Sequence, residues 1–348
     1  MDQACRLCAA GRHVRGPSLK RLRAAIVGAG LMGRWHAHAV RRASACVTAV
    51  VDSDPARAVA LARHHGARSA ASLRDVLGSV DVVHVCTPTS SHAALVTEAL
   101  DAHRHVLAEK PLAVSAAETR RLVELAAARG AIICPVHQFP WQRGVLNVLQ
   151  ALPNLGTVRH VDVVTCSAGA TRLEDLDADA VALDILPHPL AVLARVLPGV
   201  LSEAWTVRKT GAGEYRLLTC ASGASVTVLI SMAGRPTVNA MRVIADAGTA
   251  HVNLFHGYAV IERGSVSRLG KVIEPFAIAT TTLATAGLNL DVRAVRREPA
   301  YPGLNELTAR FYAAVASGSE PPIPPAETMA IAEAVDAVRR QVNGDSRA

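Results

Sequence analysis

The chain has 348 residues, of which 50% are hydrophobic and 19% are charged. This length suits two domains with a sizeable buried core, and no apolar run approaches the roughly 20 residues of a membrane span, so no membrane association is expected. The net charge of +8 is concentrated at the start, because residues 1–23 carry +5 and the remaining residues only +3. The nearly balanced body therefore gives no indication of a nucleic-acid partner.

Residues 1–22 differ from the rest of the chain in charge and cysteine spacing. They are predicted to be a basic leader, either disordered or the product of an over-extended start codon, because they hold few large apolar groups. Cys5 and Cys8 form a CxxC pair with His13 nearby, which could be part of a zinc site. A second pair and a fourth ligand are absent, so no metal is predicted. The odd total of seven cysteines favours reduced thiols and a cytoplasmic location.

The segment from Ala24 to Asp52 has the complete pattern of a dinucleotide-binding unit. A short apolar strand, Ala24–Val27, runs into a glycine-rich turn, which is followed by a helix-compatible stretch and a second strand, Cys46–Val51. The predicted cofactor-binding residues of the turn are Gly28, Gly30, Leu31, Met32 and Gly33. The glycines permit a sharp turn, close approach of the backbone to a pyrophosphate and tight packing of helix on strand.

Asp52 completes this unit at the carboxyl end of the second strand. It lies 19 residues after Gly33, where a carboxylate can accept hydrogen bonds from both hydroxyls of the adenine ribose and would repel a 2'-phosphate. NAD is therefore predicted as the cofactor in preference to NADP. Arg57 is a nearby residue that could swing in and neutralise such a phosphate.

Strands and helices continue to alternate up to about residue 137, which predicts a doubly wound parallel sheet. The strand Asp81–Cys86 leads into a loop containing Thr87, Pro88 and His92. Because ligands bind outside the carboxyl ends of parallel strands, these three residues are predicted to contact the cofactor. A helix-capping role for His92 is an equally good interpretation.

The next strand, His105–Ala108, ends in Glu109, Lys110 and Pro111. The chain has only four lysines against 33 arginines, and an ammonium can give up a proton where a guanidinium cannot. Lys110 is therefore a candidate for catalysis as well as for cofactor and substrate binding, and Glu109 for cofactor binding. The alternative is a simple salt bridge between the two at a strand end.

The second half of the chain changes to long strands with alternating apolar residues. Together with a helical segment over 178–197 and a last helix over 326–342, these strands predict an α+β domain around a large, mostly antiparallel sheet. Ser72 is expected to open a short helix in the first half. The predicted ranges are 1–22 for the leader, 23–137 for the Rossmann domain and 138–348 for substrate binding and oligomerisation.

Within the helical segment, Asp184 and His188 are four residues apart. On one helix they would share a face and could act on a ligand as a carboxylate and imidazole pair. Pro187 and Pro189 flank the histidine and remove two backbone donors, so the helix should start or kink here. The alternative is a capped helix start with an incidental histidine.

These parts together resemble the glucose-fructose oxidoreductase, inositol dehydrogenase and MocA (Gfo/Idh/MocA) family. The resemblance covers residues 24 to about 340 and rests on the glycine turn followed by His36, the Thr-Pro loop, Glu109-Lys110-Pro111, Asp184 to His188, and a late sheet turn, Ala247-Gly248-Thr249. It implies that Lys110 orients the substrate and polarises its hydroxyl or carbonyl. It also implies that His188 accepts and donates the proton, assisted by Asp184.

Three departures from the family pattern concern the substrate. Leu186 replaces a glycine usual between the aspartate and the histidine, residues 177–180 replace a glycine cluster, and Gln138 stands where arginine is usual. His137 therefore becomes an additional candidate for substrate binding, beside Lys110, Asp184 and His188.

The function that follows is an NAD-dependent dehydrogenase or reductase acting on a hydroxyl or ketone of a sugar, nucleotide sugar or cyclitol. One rival is a reductase of a non-sugar C=O, C=C or imine in the same fold, and another is a non-catalytic sensor that binds NAD and a partner protein. Retention of both Lys110 and His188 favours the enzyme. A homodimer or homotetramer is expected, since one face of the second sheet offers a broad surface of small, polar side chains that a partner could cover.

Overall fold

The computed structural model describes residues 21–168, 175–264 and 268–344. The predicted leader up to Lys20, with Cys5, Cys8 and His13, lies outside the described residues. The chain divides into two compact units, the first comprising the described residues up to Val136 together with Leu307–Pro325. The second comprises His137–Glu306 and the described residues from Ala326 on. The return of Leu307–Pro325 to the first unit is a feature that the predicted ranges do not include.

The first unit is built on a six-stranded parallel sheet in the order β3-β2-β1-β4-β5-β6. The strand bounds are β1 Arg23–Val27, β2 Cys46–Val51, β3 Arg68–Ala70, β4 Val82–Val85, β5 His105–Ala108 and β6 Ile133–Pro135. The connecting helices are α1 Leu31–Arg42, α2 Pro55–His65, α3 His92–Asp101 and α4 Ala116–Ala128. The order reverses between β1 and β4, and ligands of doubly wound sheets bind at the carboxyl side of that point.

Local side-chain chemistry sets several helix ends in this unit. The carboxylate of Asp54 accepts hydrogen bonds from the backbone N–H groups of Ala56 and Arg57 at the start of α2, which ends at left-handed Gly66. The predicted cap at Ser115 is also present, since its hydroxyl accepts from Glu118 N at 3.2 Å. The predicted short helix at Ser72 was wrong, because this segment forms turns and a single 3-10 turn at Leu77–Ser79.

The second unit contains a seven-stranded sheet in the order β13-β12-β11-β7-β10-β9-β8. Its strands are β7 Val158–Cys166, β8 Thr206–Gly211, β9 Glu214–Ala221, β10 Ala224–Ser231, β11 Val238–Ala245, β12 Gly248–Asn253 and β13 Tyr258–Arg263. The pair β7 and β10 is parallel, whereas the other pairs are antiparallel. A parallel Rossmann sheet followed by a mixed, mostly antiparallel sheet confirms the predicted fold class.

One face of this second sheet is covered by helices and forms the core of the unit. Val161, Val163 and Val228 are fully buried on that face, and they belong to one apolar cluster with Leu190 and Ile331. The helices of the unit are α5 Arg143–Leu155, α6 Asp175–Ile185, α7 Pro187–Val196, α8 Arg268–Val295 and α10 Pro325–Val342. Helix α9, Leu304–Ser317, begins in the second unit and continues into the first.

The predicted helical segment among the strands is present as α6 and α7, whereas α5, before β7, and α8 and α9, after β13, were not predicted. Helix α8 contains Pro275 and three consecutive threonines from Thr280, residues with poor helix propensity that hide the helical pattern. The predicted break near Pro187 is present, since α6 ends at Ile185 and α7 begins at Pro187. Among the helices of the described residues, none has both the length and the apolar character required to cross a membrane.

Candidate active site

The glycine-rich turn lies at the carboxyl end of β1, where the strand order reverses. Gly28 has a φ of +96°, and a Cβ added there would lie 2.7 Å from the carbonyl oxygen of Cys86. A Cβ on Gly33 would overlap the carbonyl oxygen of Gly28. A Cβ on Gly30 would meet nothing within 4 Å, so no neighbouring protein atom explains the missing side chain. Open space there fits a pyrophosphate approaching the N-terminus of α1, which Leu31 and Met32 begin.

Asp52 is oriented by two backbone N–H groups. Its Oδ2 accepts from Ala29 N at 2.6 Å and its Oδ1 from Asp54 N at 2.8 Å. A carboxylate has about four acceptor positions, so each oxygen can still receive a ribose hydroxyl. Arg57 donates from Nε to Asp54 Oδ2 at 2.9 Å, and this ion pair would have to break before Arg57 could reach a 2'-phosphate.

The loop after β4 is braced from within by His92. The imidazole is fully buried, with Nε2 2.8 Å from the carbonyl oxygen of Thr87 and Nδ1 2.9 Å from that of Pro111. Ser91 reinforces the loop, because its hydroxyl lies 2.7 Å from Thr87 Oγ1. His92 therefore links the loop to the backbone next to Lys110. Direct cofactor contacts by Thr87, Pro88 and His92 stay predictions.

Lys110 is the second residue after β5, at the same carboxyl edge as the glycine turn. Its backbone N–H donates to Glu109 Oε2 at 3.2 Å, while Glu109 Oε1 lies 3.0 Å from His36 Nε2. Burial raises the pKa of Glu109, but the hydrogen bond from His36 and the charge of Lys110 outweigh it and bring the pKa below its usual value. An ionised carboxylate is therefore fixed beside Lys110.

In the second unit, the imidazole of His188 stacks on the ring of Phe139. The ring centroids are 4.3 Å apart and the planes differ by 12°. His188 is half-buried near the start of α7, and Phe139 belongs to a 3-10 turn that follows β6. A flat aromatic support restricts how the imidazole can tilt, as a proton-transfer group requires.

Asp184 and His137 have different environments from His188. Asp184 is exposed on α6, on the other side of the helix break from His188. His137 is buried, with 3% of its surface exposed. Asp179, one of the residues that stand in place of the glycine cluster, has a structural role. Its carboxylate accepts a hydrogen bond from Gly213 N at 2.8 Å and forms an ion pair with Lys209. The roles of Asp184 and His137 toward a substrate stay predictions.

Sequence reasoning missed the surroundings of the predicted residues. It did not identify His84 and Tyr312 as partners of the His36 and Glu109 cluster, or Phe139 as the support of His188. His84 could have been noticed, since it is a polar residue inside the buried strand β4 and such a group needs a partner. The sequence gives no comparable indication of Tyr312, because this residue is 228 positions away from His84.

Comparison with known proteins finds a family model that matches part of this chain. Residues 22–137 match the model of an oxidoreductase family with an NAD-binding Rossmann fold, Gfo/Idh/MocA. The UDP-N-acetylglucosamine 3-dehydrogenase of Acidithiobacillus ferrooxidans is 29% identical over 190 residues, covering 55% of this chain and 58% of the relative. The inositol 2-dehydrogenase of Leifsonia xyli subsp. xyli is 40% identical over 108 residues, covering 30% of this chain and 32% of the relative. In sequence, the chain thus covers 58% of the length of the first relative and 32% of the length of the second.

The similarity of fold extends over almost the whole chain. The WlbA dehydrogenase from Bordetella pertussis, solved in complex with NADH and UDP-GlcNAcA, matches with a TM-score of 0.73 at 18% identity. The match covers 93% of this chain and 96% of that one. The predicted resemblance and the predicted class of cofactor are thereby confirmed: residues 22–137 match the NAD-binding Rossmann fold of the Gfo/Idh/MocA oxidoreductases, and the fold of the chain is similar to that of a dehydrogenase solved with NADH.

Proposed function

We propose that this chain is an NAD(H)-dependent oxidoreductase that transfers a hydride between the nicotinamide and a hydroxyl or ketone of a polyhydroxylated substrate. A sugar, nucleotide sugar or cyclitol fits the names of the relatives, which act on UDP-N-acetylglucosamine and inositol. The observation that carries the proposal is the position of Lys110. It stands at the carboxyl edge of the sheet that holds the glycine turn, next to an ionised carboxylate that is itself hydrogen-bonded.

The geometry at Gly30 and Asp52 supports NAD as the cofactor. Gly30 leaves room for the pyrophosphate, and Asp52 has acceptor capacity for the ribose hydroxyls. Bound NAD would supply the hydride acceptor at its nicotinamide. Thr87, Pro88 and Glu109 line the same carboxyl edge of the sheet, where they would border the cofactor. His92 would act through the Thr87 carbonyl, which its ring contacts.

The chemistry at the substrate requires a proton acceptor and a group that stabilises a developing oxyanion. We assign the first role to His188, because an imidazole ordinarily titrates near neutral pH and the stacked Phe139 restricts its ring. In the oxidative direction His188 takes the hydroxyl proton, the hydride leaves the same carbon, and a carbonyl forms. Lys110 holds the reacting oxygen through its ammonium, with Asp184 and His137 as further substrate contacts.

We further propose that the protein acts in the cytoplasm as a homo-oligomer. The outer face of the second sheet offers Thr227, Leu229 and Arg242, and none of these three side chains is fully buried. Helix α8 adds large apolar side chains that are more than half exposed: Val272, Ile273, Phe276, Leu283, Leu288, Leu290 and Val295. Exposed apolar residues in such number favour a covering partner.

The proposal is tested by adding NAD to the purified protein and following NADH absorbance with myo-inositol, UDP-N-acetylglucosamine and a broader panel of sugars and polyols. We expect turnover with at least one compound. His188→Ala should abolish most of it, and His160→Ala is the matched control because His160 lies on the outer sheet face beside Ser225. NAD binding without turnover in the whole panel would favour the non-catalytic sensor.

A further inference from the structure

A continuous chain of polar side chains runs through the buried interior of the first unit. It begins at Glu109, whose Oε1 lies 3.0 Å from His36 Nε2, and continues from His36 Nδ1 to His84 Nδ1 at 2.9 Å. His84 Nε2 then lies 2.9 Å from the hydroxyl of Tyr312. His36 and His84 are fully buried, and Tyr312 is 4% exposed. These hydrogen bonds join helix α1, strand β4, helix α9 and the residue that follows strand β5.

The hydrogen bonds of this chain can be assigned from both of its ends. An ionised Glu109 can only accept, so His36 Nε2 carries a proton and donates. At the other end, His84 is the only hydrogen-bond partner of the Tyr312 hydroxyl among the described residues, so the phenol must donate if its own proton is to have an acceptor. His84 Nε2 therefore accepts, which leaves His84 Nδ1–H to donate to His36 Nδ1.

In this arrangement each imidazole carries a single ring proton and each donor has an acceptor. Burial holds the pKa of His84 well below its ordinary value. Burial also raises the pKa of Tyr312 well above its ordinary value. Passing a proton along the chain to Glu109 would leave a buried tyrosinate, which such an environment strongly opposes. The chain is thus a fixed set of hydrogen bonds and not a route for protons.

The fixed end of this chain is next to the proposed catalytic lysine. Glu109 receives His36 Nε2–H on one oxygen and the backbone N–H of Lys110 on the other, at 3.2 Å. On the opposite side of Lys110, the carbonyl of Pro111 contacts His92 Nδ1 at 2.9 Å. Both neighbours of Lys110 are therefore held by buried histidines.

We propose that His36, His84 and Tyr312 are positioning residues for Lys110, acting through the carboxylate of Glu109. The inference rests on the proposed function, because it takes Lys110 as a catalytic group. In metal sites, removing a group that hydrogen-bonds to a functional residue and orients it typically lowers activity about 10- to 100-fold. Tyr312→Phe is the mildest substitution that interrupts this chain of hydrogen bonds, since it deletes one buried hydroxyl and keeps the ring.

The first test needs no substrate and uses NMR of the full chain labelled with ¹⁵N in histidine and lysine. We expect His36 as the Nε2–H tautomer and His84 as the Nδ1–H tautomer. Tyr312→Phe should alter the signals of His84 and shift the backbone amide of Lys110, while the amide of Lys209 stays in place. Four lysines in the sequence make these amides easy to resolve. An unmoved Lys110 amide, or His84 protonated on Nε2 in the unaltered protein, would overturn the proposal.

The second test is kinetic and uses whichever sugar or polyol the unaltered protein oxidises. Tyr312→Phe should lower kcat at least tenfold and leave the Kd for NAD unchanged, whereas Tyr258→Phe, on β13 of the second unit, should leave kcat unchanged. Normal kcat in Tyr312→Phe would overturn the positioning role. If no compound is turned over, the proposed function fails, but the NMR result still decides whether the hydrogen-bond chain holds Lys110.

Discussion

The imidazole of His188 lies nearly parallel to the ring of Phe139, with 4.3 Å between the ring centroids and 12° between the planes. The contact joins the start of α7 to the turn after β6, two segments about 50 residues apart in sequence. His188 stands directly after a helix break, where α6 ends and α7 begins. The stacked ring therefore restricts a side chain whose own backbone lies at a helix end.

Replacing Phe139 by leucine should lower turnover about tenfold. An aromatic pair contributes roughly 0.5–1.5 kcal/mol beyond its buried area, and about 1.4 kcal/mol corresponds to a factor of ten. The loss should fall on kcat, because the stack orients His188 and does not hold the cofactor. Steady-state kinetics beside NAD titrations measure both quantities. Phe139→Tyr keeps the ring and should retain most of the rate; if Phe139→Leu is equally active, the stack has no part in proton transfer.

The proposed roles of Lys110 and His188 predict different kinetic signatures. His188→Ala should lower kcat by about 10²- to 10⁴-fold, the usual contribution of general acid–base catalysis, with NAD affinity barely changed. Lys110→Ala should lower kcat and weaken substrate binding together. Lys110→Arg should not recover the rate, since a guanidinium is bulkier and keeps its proton. Near-normal rates in both alanine variants would contradict the roles inferred from the family resemblance.

Much of the first unit was predictable because its constraints are local. The turn at Gly28 to Gly33, the cap at Asp54 and the stop at Gly66 each depend on residues within a few positions of one another. The same holds for the helix break between α6 and α7, where two prolines remove backbone donors. Such features can be read directly from spacing.

What could not be predicted depends on contacts between distant parts of the chain. Tyr312 reaches His84 only because α9 returns to the first unit, and no periodicity reports that return. The stacking of Phe139 on His188 likewise requires the packing of α7 against the turn after β6. Helix α8 was missed for a different reason, since its threonines and Pro275 lower its local helix propensity.

Acid should destabilise the protein partly through His65. Burial first, then the charges of His64, Arg41 and His38, lowers the pKa of His65 from 6.5 to about 4. A group with a lowered pKa in the folded state stays neutral there while the unfolded chain gains a proton, so the stabilisation is present above pH 6.5 and is lost as the pH falls toward 4. The pKa of His84 is lowered in the same direction.

The corresponding variant is His65→Gln, studied by thermal melts between neutral pH and about pH 4.5. The Tm of the unaltered protein should fall more steeply with acid than that of His65→Gln. His64→Gln is the matched control, because His64 is the exposed neighbour and its charge is only the second cause of the lowered pKa. Identical slopes for the unaltered protein and His65→Gln would show that His65 is not a source of acid sensitivity.

The oligomer proposal predicts at least a dimer in solution, measured by light scattering at micromolar concentration. A substitution within the interface should shift the mass toward that of one chain. Thr227→Arg tests the outer sheet face, and Leu283→Glu tests α8, where Leu283 is 76% exposed. Val114→Glu is the control, since Val114 is an exposed apolar residue of the first unit. A mass of 36.5 kDa for the unaltered protein would rule the proposal out.

The preference for NAD over NADP is predicted to depend on the charge of Asp52 more than on its hydrogen bonds. The two can be separated, because Asp52 accepts from Ala29 N and Asp54 N through different oxygens. Asp52→Asn removes the charge and keeps one acceptor oxygen, so the ratio of the two Kd values should narrow about tenfold, or about 1.4 kcal/mol, while NAD still binds. Asp52→Ala should narrow the ratio similarly and also weaken both cofactors, because the turn at Ala29 loses its acceptor. Calorimetric titration of both cofactors measures these Kd values. Arg57→Ala is the control, because the Arg57 guanidinium could otherwise leave Asp54 and bind the 2'-phosphate of NADP. Equal or tighter binding of NADP by the unaltered protein would contradict the prediction.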